Sequence, residues 1–211
     1  MSKELRLLLP LIENLQTDTI NGVGYHTGKI GRHDVVALRS GIGKVNAALA
    51  TQTLIDSYHP DMVINTGVAG GVGKTKVLDV IVPSKVAYHD VWCGPGTQWG
   101  EASGCPREFI CRFGQGLDSA PKTSGLLASG DIFISQPEEV RHILDIYPDA
   151  VAVDMESAAI AQTCYLKGVD FACIRVISDT PGDDDNIAQY ESFWDDAPQA
   201  TFEALQKALG V

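Results

Sequence analysis

The sequence predicts an α/β fold in which a mixed or mostly parallel sheet is flanked by helices. Three observations lead there. Several β-rich segments are apolar almost without interruption, the pattern of strands covered on both faces. Helical patterns alternate with them along most of the chain. A chain of 211 residues with 45% hydrophobic content can bury one sizeable core, so a single domain over 1–211 is expected.

In chain order, "DVVALRSG" (34–41) reads as a strand closed by glycine, and a helix follows over about 44–57. "DMVINTGVAGG" (61–71) and "LDVIVPSKVAYHD" (78–90) read as the next strands. "SGLLASGDIF" (124–133) comes before a second helix over 137–147. "AVAVDM" (150–155) leads into a third helix over 156–167, which stops at Gly168 as a helix should. "DFACIRVISD" (170–179) is the last strand. The tail from Ile187 to Leu209 is again helical, restarted or kinked at Pro198. Ligands of such sheets bind at the carboxyl ends of strands. That singles out Gly41, Gly67, Asp90, Asp131, Met155 and Asp179, the residues that close each strand.

A formal charge of -11 argues against nucleic acid or an anionic membrane as partner, since both demand clustered Lys and Arg. Small molecules are the expected ligands. The cysteines, Cys93, Cys105, Cys111, Cys164 and Cys173, form no C-x-x-C pair of the kind zinc or redox sites use. No apolar run approaches the ~18 residues of a membrane span. The opening "MSKELRLLLPLIENLQ" is interrupted by Pro10 and lacks a cleavage signature. A soluble, cytoplasmic protein with reduced thiols is expected.

"GVAGGVGKT" (67–75) and "SGIGKV" (40–45) fail the phosphate-loop spacing. They read instead as glycine-rich turns where backbone must approach something closely. "GDDDN" (182–186) lacks the ligand spacing of a calcium loop, and His26, His33, His59, His89 and His142 never pair at metal-ligand spacing. No metal and no cofactor are expected.

Two carboxylates lie just after apolar strands: Glu156 in "VAVDMESAAIA" and Asp179 in "FACIRVISD". On its own, Glu156 is equally well a helix N-terminal acid favoured by the macrodipole. Asp179 is equally well an N-cap or turn residue.

"SGIGKVNAA", "INTGVAGG", "YHD", "SGDIFI", "VAVDMESAAIA" and "RVISD" together resemble the purine and uridine phosphorylase superfamily in order and spacing. Within it they are most similar to the nucleosidases of 5′-methylthioadenosine and S-adenosylhomocysteine. The resemblance implies an α/β three-layer sandwich with a mixed, barrel-like central sheet, a homodimer, and a place in methionine salvage. It implies hydrolysis of the N-glycosidic bond, releasing adenine and a 5′-thioribose. That chemistry needs an acid to protonate the leaving purine and a second group to align water.

Carried over by motif, Asp179 is implied as the general acid toward purine N7, with Ser178 hydrogen-bonding beside it. A carboxyl ending a buried strand is desolvated enough to hold a proton near neutrality, whereas Asp183 to Asp185 belong to a wet turn. Arg175, four residues or about 13 Å back along the strand, is expected to point toward the water site. Glu156 is implied to hold the ribose hydroxyls and Met155 to pack on the sugar. Phe133 is implied to stack on the purine, while the backbone of Ile134 reads its edge. Phe133 and Met155 also fit as ordinary core residues.

The family's water-aligning glutamate follows a first strand and an "A-M-x-x-E" turn. Here the match begins at the methionine, which makes Glu4 the candidate and sets Met1 in the sugar pocket. The family's first strand is expected to be missing, with the native start upstream or the sheet completed another way. The strand before the glycine turn reads "VINTGVAGG", without the arginine that phosphorylases present to phosphate, so water is the expected attacker. Val68 belongs to the substrate-binding set. Ile42, Trp92 and Tyr190 are expected to line an apolar 5′ pocket partly lent by a partner subunit. After "YHD" the chain reads "VWCGPGTQWG" where relatives read "A-D-V-T-A-F", so the preferred 5′ tail stays open. The alternatives are a purine nucleoside phosphorylase, a futalosine-type nucleosidase, and a nucleoside-binding protein without turnover.

Overall fold

The computed structural model describes residues 2–112 and 123–196, together with Glu203 and Gln206. Helix α1 (Ser2–Leu8) and a 3-10 turn (Leu9–Leu11) lead into an antiparallel sheet of β1 (Glu13–Ile20), β2 (Val23–Ile30) and β3 (His33–Leu38). Then follow α2 (Lys44–Tyr58), β4 (Met62–Gly71), β5 (Val80–Ile81), β6 (Pro83–Tyr88), β7 (Glu108–Ile110) and β8 (Thr123–Ser129). The last elements are α3 (Pro137–Ile146), β9 (Ala150–Asp154), α4 (Ser157–Lys167), β10 (Asp170–Asp179) and α5 (Asn186–Asp196).

A seven-stranded sheet runs in the order β5-β10-β4-β9-β8-β6-β7. β10 with β4, β6 with β8, and β8 with β9 are parallel, while β5, β7 and the β4–β9 pair are antiparallel. The sheet is therefore mixed. Its strands read as unbroken apolar runs because alternate residues feed two cores. On β6, Val86 and Tyr88 enter the core shared with α2 and α4, whereas Ala87 joins the core under α3. On β8, Leu127 faces the first core and Leu126 and Ala128 the second. Helix α4 packs closely because its buried positions are mostly small, Ser157, Ala158, Ala159 and Ala161, and it ends on left-handed Gly168.

The strand segments expected at 61–71, 150–155 and 170–179 match β4, β9 and β10 to within a residue or two. The hairpin of β1 and β2 was not expected from the sequence. Its turn is Asn21-Gly22, both at positive φ (52° and 79°), the strongest short hairpin signal. β1 is exposed along all but its last residue, so it carries no apolar alternation. The helical tail is described to Asp196; Pro198 lies outside the described residues.

Among the described residues, β3 pairs only with β2, and β4 pairs with β9 only at Gly70 and Gly71. The seam between β3 and the rest of β4 opens into the principal cavity. Residues 35–40 and 63–70 line that cavity in unbroken succession. A cavity on one face of a strand meets alternate residues, so this one also runs along strand edges.

Candidate active site

The cavity encloses about 990 Å³, ample for a nucleoside. Glu4, Ile42, Val68, Phe133, Ile134, Met155, Glu156, Arg175, Ser178, Asp179 and Tyr190 all reach it.

At one end, β10 carries a bulge in its pairing with β4 between Ile177 and Asp179, a device that re-aims side chains. Both Ser178 and Asp179 consequently line the cavity. Asp179 is only 2% exposed. Its carboxylate accepts from Ser178 Oγ at 2.7 Å and from Asn186 Nδ2 at 3.1 Å. Burial pushes its pKa up, and those two donors hold the rise back. The side chain is neither capping a helix nor closing a turn. The turn after it exposes Asp183, Asp184 and Asp185 and then buries Asn186.

At the other end, Glu156 precedes α4 yet makes no capping bond to it. Asp154 does that work, accepting from Ser157 N–H at 3.2 Å through both oxygens. Glu156 is thereby left facing the cavity, where it accepts from the Gly43 N–H at the start of α2 at 3.0 Å. Burial and the neighbouring Asp154 charge raise its pKa, opposed by Arg175 and that N–H. Arg175 is 4% exposed. It donates to Asp154 and to Ser157 Oγ (3.2 Å) and lies 3.8 Å from Glu156. Ser157 Oγ donates a hydrogen bond to Asp154 at 2.6 Å and accepts one from Asn65 Nδ2 at 2.9 Å.

Glu4 reaches this end from α1 and accepts from the Val68 N–H at 3.3 Å. A Cβ added at Gly67 would stand 2.5 Å from Arg175 Nη1 and 2.6 Å from Glu4 Oε1. The glycine thus makes the space in which these two groups meet. Gly70 likewise admits Pro181, which would lie 2.5 Å from an added Cβ. The run "GVAGG" belongs to β4 and no helix follows it.

Between the ends, Phe133 and Tyr190 meet edge to face at 5.5 Å. Phe133 remains 42% exposed and Ile42 57%, so each still presents a face to the outside. Burial raises the Tyr190 phenol, with Asp179 and Glu156 adding to it.

Trp92 is not among the cavity residues. Its indole is spent on a stack with Trp99 at 6.1 Å, and Trp99 in turn meets His142 at 5.3 Å. Met1 lies outside the described residues. His89 is buried behind the site and does not line it. Asp90 and Asp131 lie outside that lining too, engaged by Lys44 Nζ at 2.9 Å and by the Lys44 N–H at 2.7 Å. No cluster of potential metal ligands occurs among the described residues.

The sequence reading passed over Asp154, Ser157, Asn65 and Asn186. Asp154 and Ser157 were signalled by their place in "VDMES" beside Glu156, as polar groups where the strand gives way to helix. Asn186 carried only one sign, an amide ending a run of acids.

The model of the phosphorylase superfamily matches residues 1–209. The chain belongs to the phosphorylase superfamily. Within that superfamily it is 39% identical over 208 residues to a protein of Hydrogenovibrio crunogenus named 5′-methylthioadenosine/S-adenosylhomocysteine nucleosidase. That match covers 93% of this chain and 89% of the relative. A Bacillus thuringiensis protein of the same name is 35% identical over 220 residues, covering 99% and 95%. The fold matches the Neisseria meningitidis nucleosidase solved with methylthio-immucillin-A at a TM-score of 0.93 and 33% identity, covering 100% of this chain and 96% of that one. The Streptococcus pneumoniae nucleosidase with a transition-state inhibitor matches at 0.92 and 32%, covering 99% and 95%.

Proposed function

We propose that the cavity hydrolyses the N-glycosidic bond of 5′-methylthioadenosine and S-adenosylhomocysteine, releasing adenine and the 5′-thioribose. The observation that carries the chemistry is a buried Asp179, its pKa raised by burial, facing the same cavity as a second carboxylate cluster at Glu4 and Glu156. The relatives supply the substrate class.

Asp179 gives its proton to purine N7 as the bond to C1′ breaks and its electron pair leaves with the base. Glu4, facing Arg175 across Gly67, takes a proton from the water whose oxygen bonds to C1′. Glu156 accepts from the ribose hydroxyls and stabilises the growing positive charge of the ring. Met155 packs on the sugar. Phe133 stacks on the purine, the backbone of Ile134 reads its edge, and Ser178 orients the acid. Val68, Ile42 and Tyr190 shape the walls toward the 5′ substituent.

A homodimer accords with the exposed apolar face of Ile42, Val45 and Leu49, which are 57%, 70% and 63% exposed at helical spacing where α2 begins. Met1 in the sugar pocket remains part of this reading, as do a single domain and a cytoplasmic setting. The five cysteines are unpaired, as reduced thiols in that compartment would be.

Phosphorolysis has one observation in its favour: Arg39 and Arg175 both line the cavity. Arg175, however, is already held by Asp154 and stands near Glu156, a poor setting for a phosphate dianion. Adenine release from 5′-methylthioadenosine in phosphate-free buffer, followed by ultraviolet absorbance and repeated with phosphate, separates the two. Release at the same rate without phosphate is expected; release only with phosphate would show a phosphorylase.

A further inference from the structure

Asn186 is the first residue of α5, yet its side chain is turned inward and is 2% exposed. Its amide nitrogen carries two hydrogens and meets two acceptors, Asp179 Oδ2 at 3.1 Å and the Ile134 carbonyl at 3.5 Å. A carbonyl can only accept, so it fixes which way the amide points. With Ile134 O as one partner, the face turned to Asp179 is a donor and the amide oxygen is kept away from it. Ser178 Oγ has one hydrogen and donates it to the other carboxylate oxygen at 2.7 Å, with the Ala69 carbonyl as the more distant acceptor at 3.3 Å. Both oxygens of the acid are thus held, one from β10 and one from α5.

We propose that Asn186 is the positioning residue of the general acid: locked by the Ile134 carbonyl, its amide holds Asp179 in line with the purine and favours surrender of the proton. The inference rests on Asp179 being that acid. A donor to a carboxylate stabilises the charged form, and so lowers the cost of giving the proton up while burial works the other way. The same amide joins the acid to the backbone that reads the base, so proton donor and recognition edge move as one piece.

The charged and titratable groups facing this acid are few. Tyr190 approaches from α5. Glu156, after β9, and Glu4, on α1, belong to the other end of the cavity, where Arg175 of β10 is engaged by Asp154. The segment of Ile132, Phe133 and Ile134 contributes no charge. Arg39, after β3, and Glu191, on α5, also line the cavity, yet the groups that shift the proton affinity of Asp179 besides burial are the two neutral donors Ser178 and Asn186.

The test is the pH dependence of kcat/KM for adenine release by Asn186→Leu and Asn186→Asp, with a 13C-NMR titration of the Asp179 carboxyl in the free proteins. Loss of the donor raises the proton affinity of Asp179, so activity persists to higher pH before the acid ionises. The alkaline limb of Asn186→Leu is expected to move up by about one pH unit. Its plateau is expected to fall roughly tenfold. Asn186→Asp, nearly isosteric and adding like charge, moves the limb further. A lowered rate with an unmoved limb and an unmoved carboxyl titration would make Asn186 merely structural and overturn the proposal. Asp179→Asn serves as control: full activity there removes the acid itself, whereas an inactive Asp179→Asn with unmoved Asn186 variants removes only this inference. If Asn186→Leu does not fold, Asn186→Asp and its carboxyl titration decide alone.

Discussion

The two ends of the cavity are built in opposite ways. The acid end grows out of β10, a ten-residue strand buried at nine of its positions, and every polar group there has a neutral partner: Ser178, Asn186 and main-chain carbonyls. The water end gathers charges, with Glu4, Glu156, Asp154 and Arg175 around Gly67 and Ser157. One of them, Glu4, arrives on a seven-residue helix whose Leu5 and Leu8 pack on the small cluster of Ile12, Ile30 and Ala37. Under the proposed reaction the difference follows from the chemistry. A proton donor must be desolvated and uncharged, whereas a site that binds water and a cationic ribose needs negative charge held close. It also implies that the acid end is fixed by packing and the water end by electrostatics.

At the water end that contrast can be broken most severely at Glu156. Glu156→Gln keeps the shape but removes the charge facing the ribose, and kcat/KM should fall by about 10³-fold. Glu4→Gln should cost roughly 10²-fold, mostly in kcat, and α1 should stay docked, seen as unchanged thermal unfolding. Asp154→Asn leaves buried Arg175 with only the more distant Glu156 at 3.8 Å as charged partner, so it should lower stability by about 3 kcal/mol and Tm by roughly 6–12 °C. An unchanged Tm would show that the pair does not hold the water end. Tyr190→Phe should change kcat/KM less than about threefold and shift the alkaline limb slightly, since only a hydroxyl near Asp179 is lost.

The pH dependence of stability sharpens the comparison further. Asp179 has a raised pKa in the folded state, so folding takes up a proton and its contribution to stability falls as pH rises from the ordinary carboxylate range through the folded pKa. Asp179→Asn, which carries no proton, should therefore gain Tm over the parent above about pH 5, by roughly 2–4 °C.

The sheet was legible wherever both faces are covered, because β4, β8, β9 and β10 then appear as apolar runs closed by a polar or glycine residue. The hairpin of β1 and β2 was not, since β1 is solvated on nearly all its length and only Asn21-Gly22 marks it. Asp179, Glu156 and Arg175 could be read because they sit in strand-end motifs, where position along the chain fixes position in the fold. Asn186 could not, because its inward turn depends on the tight Thr180–Asp185 loop, where Asp183 N–H bonds Thr180 O and Asn186 N–H bonds Asp183 O. Trp92 misled for the reverse reason: a loop residue adjacent to a motif is placed by its neighbours, here Trp99, and not by the strand before it.

The account stands most directly on Asp179 as the proton donor. Adenine release by Asp179→Asn should fall by about 10³ to 10⁴-fold, while equilibrium binding of a non-hydrolysable adenosine analogue stays within a few-fold of the parent. Adenine release at the parental rate by a folded Asp179→Asn would contradict it.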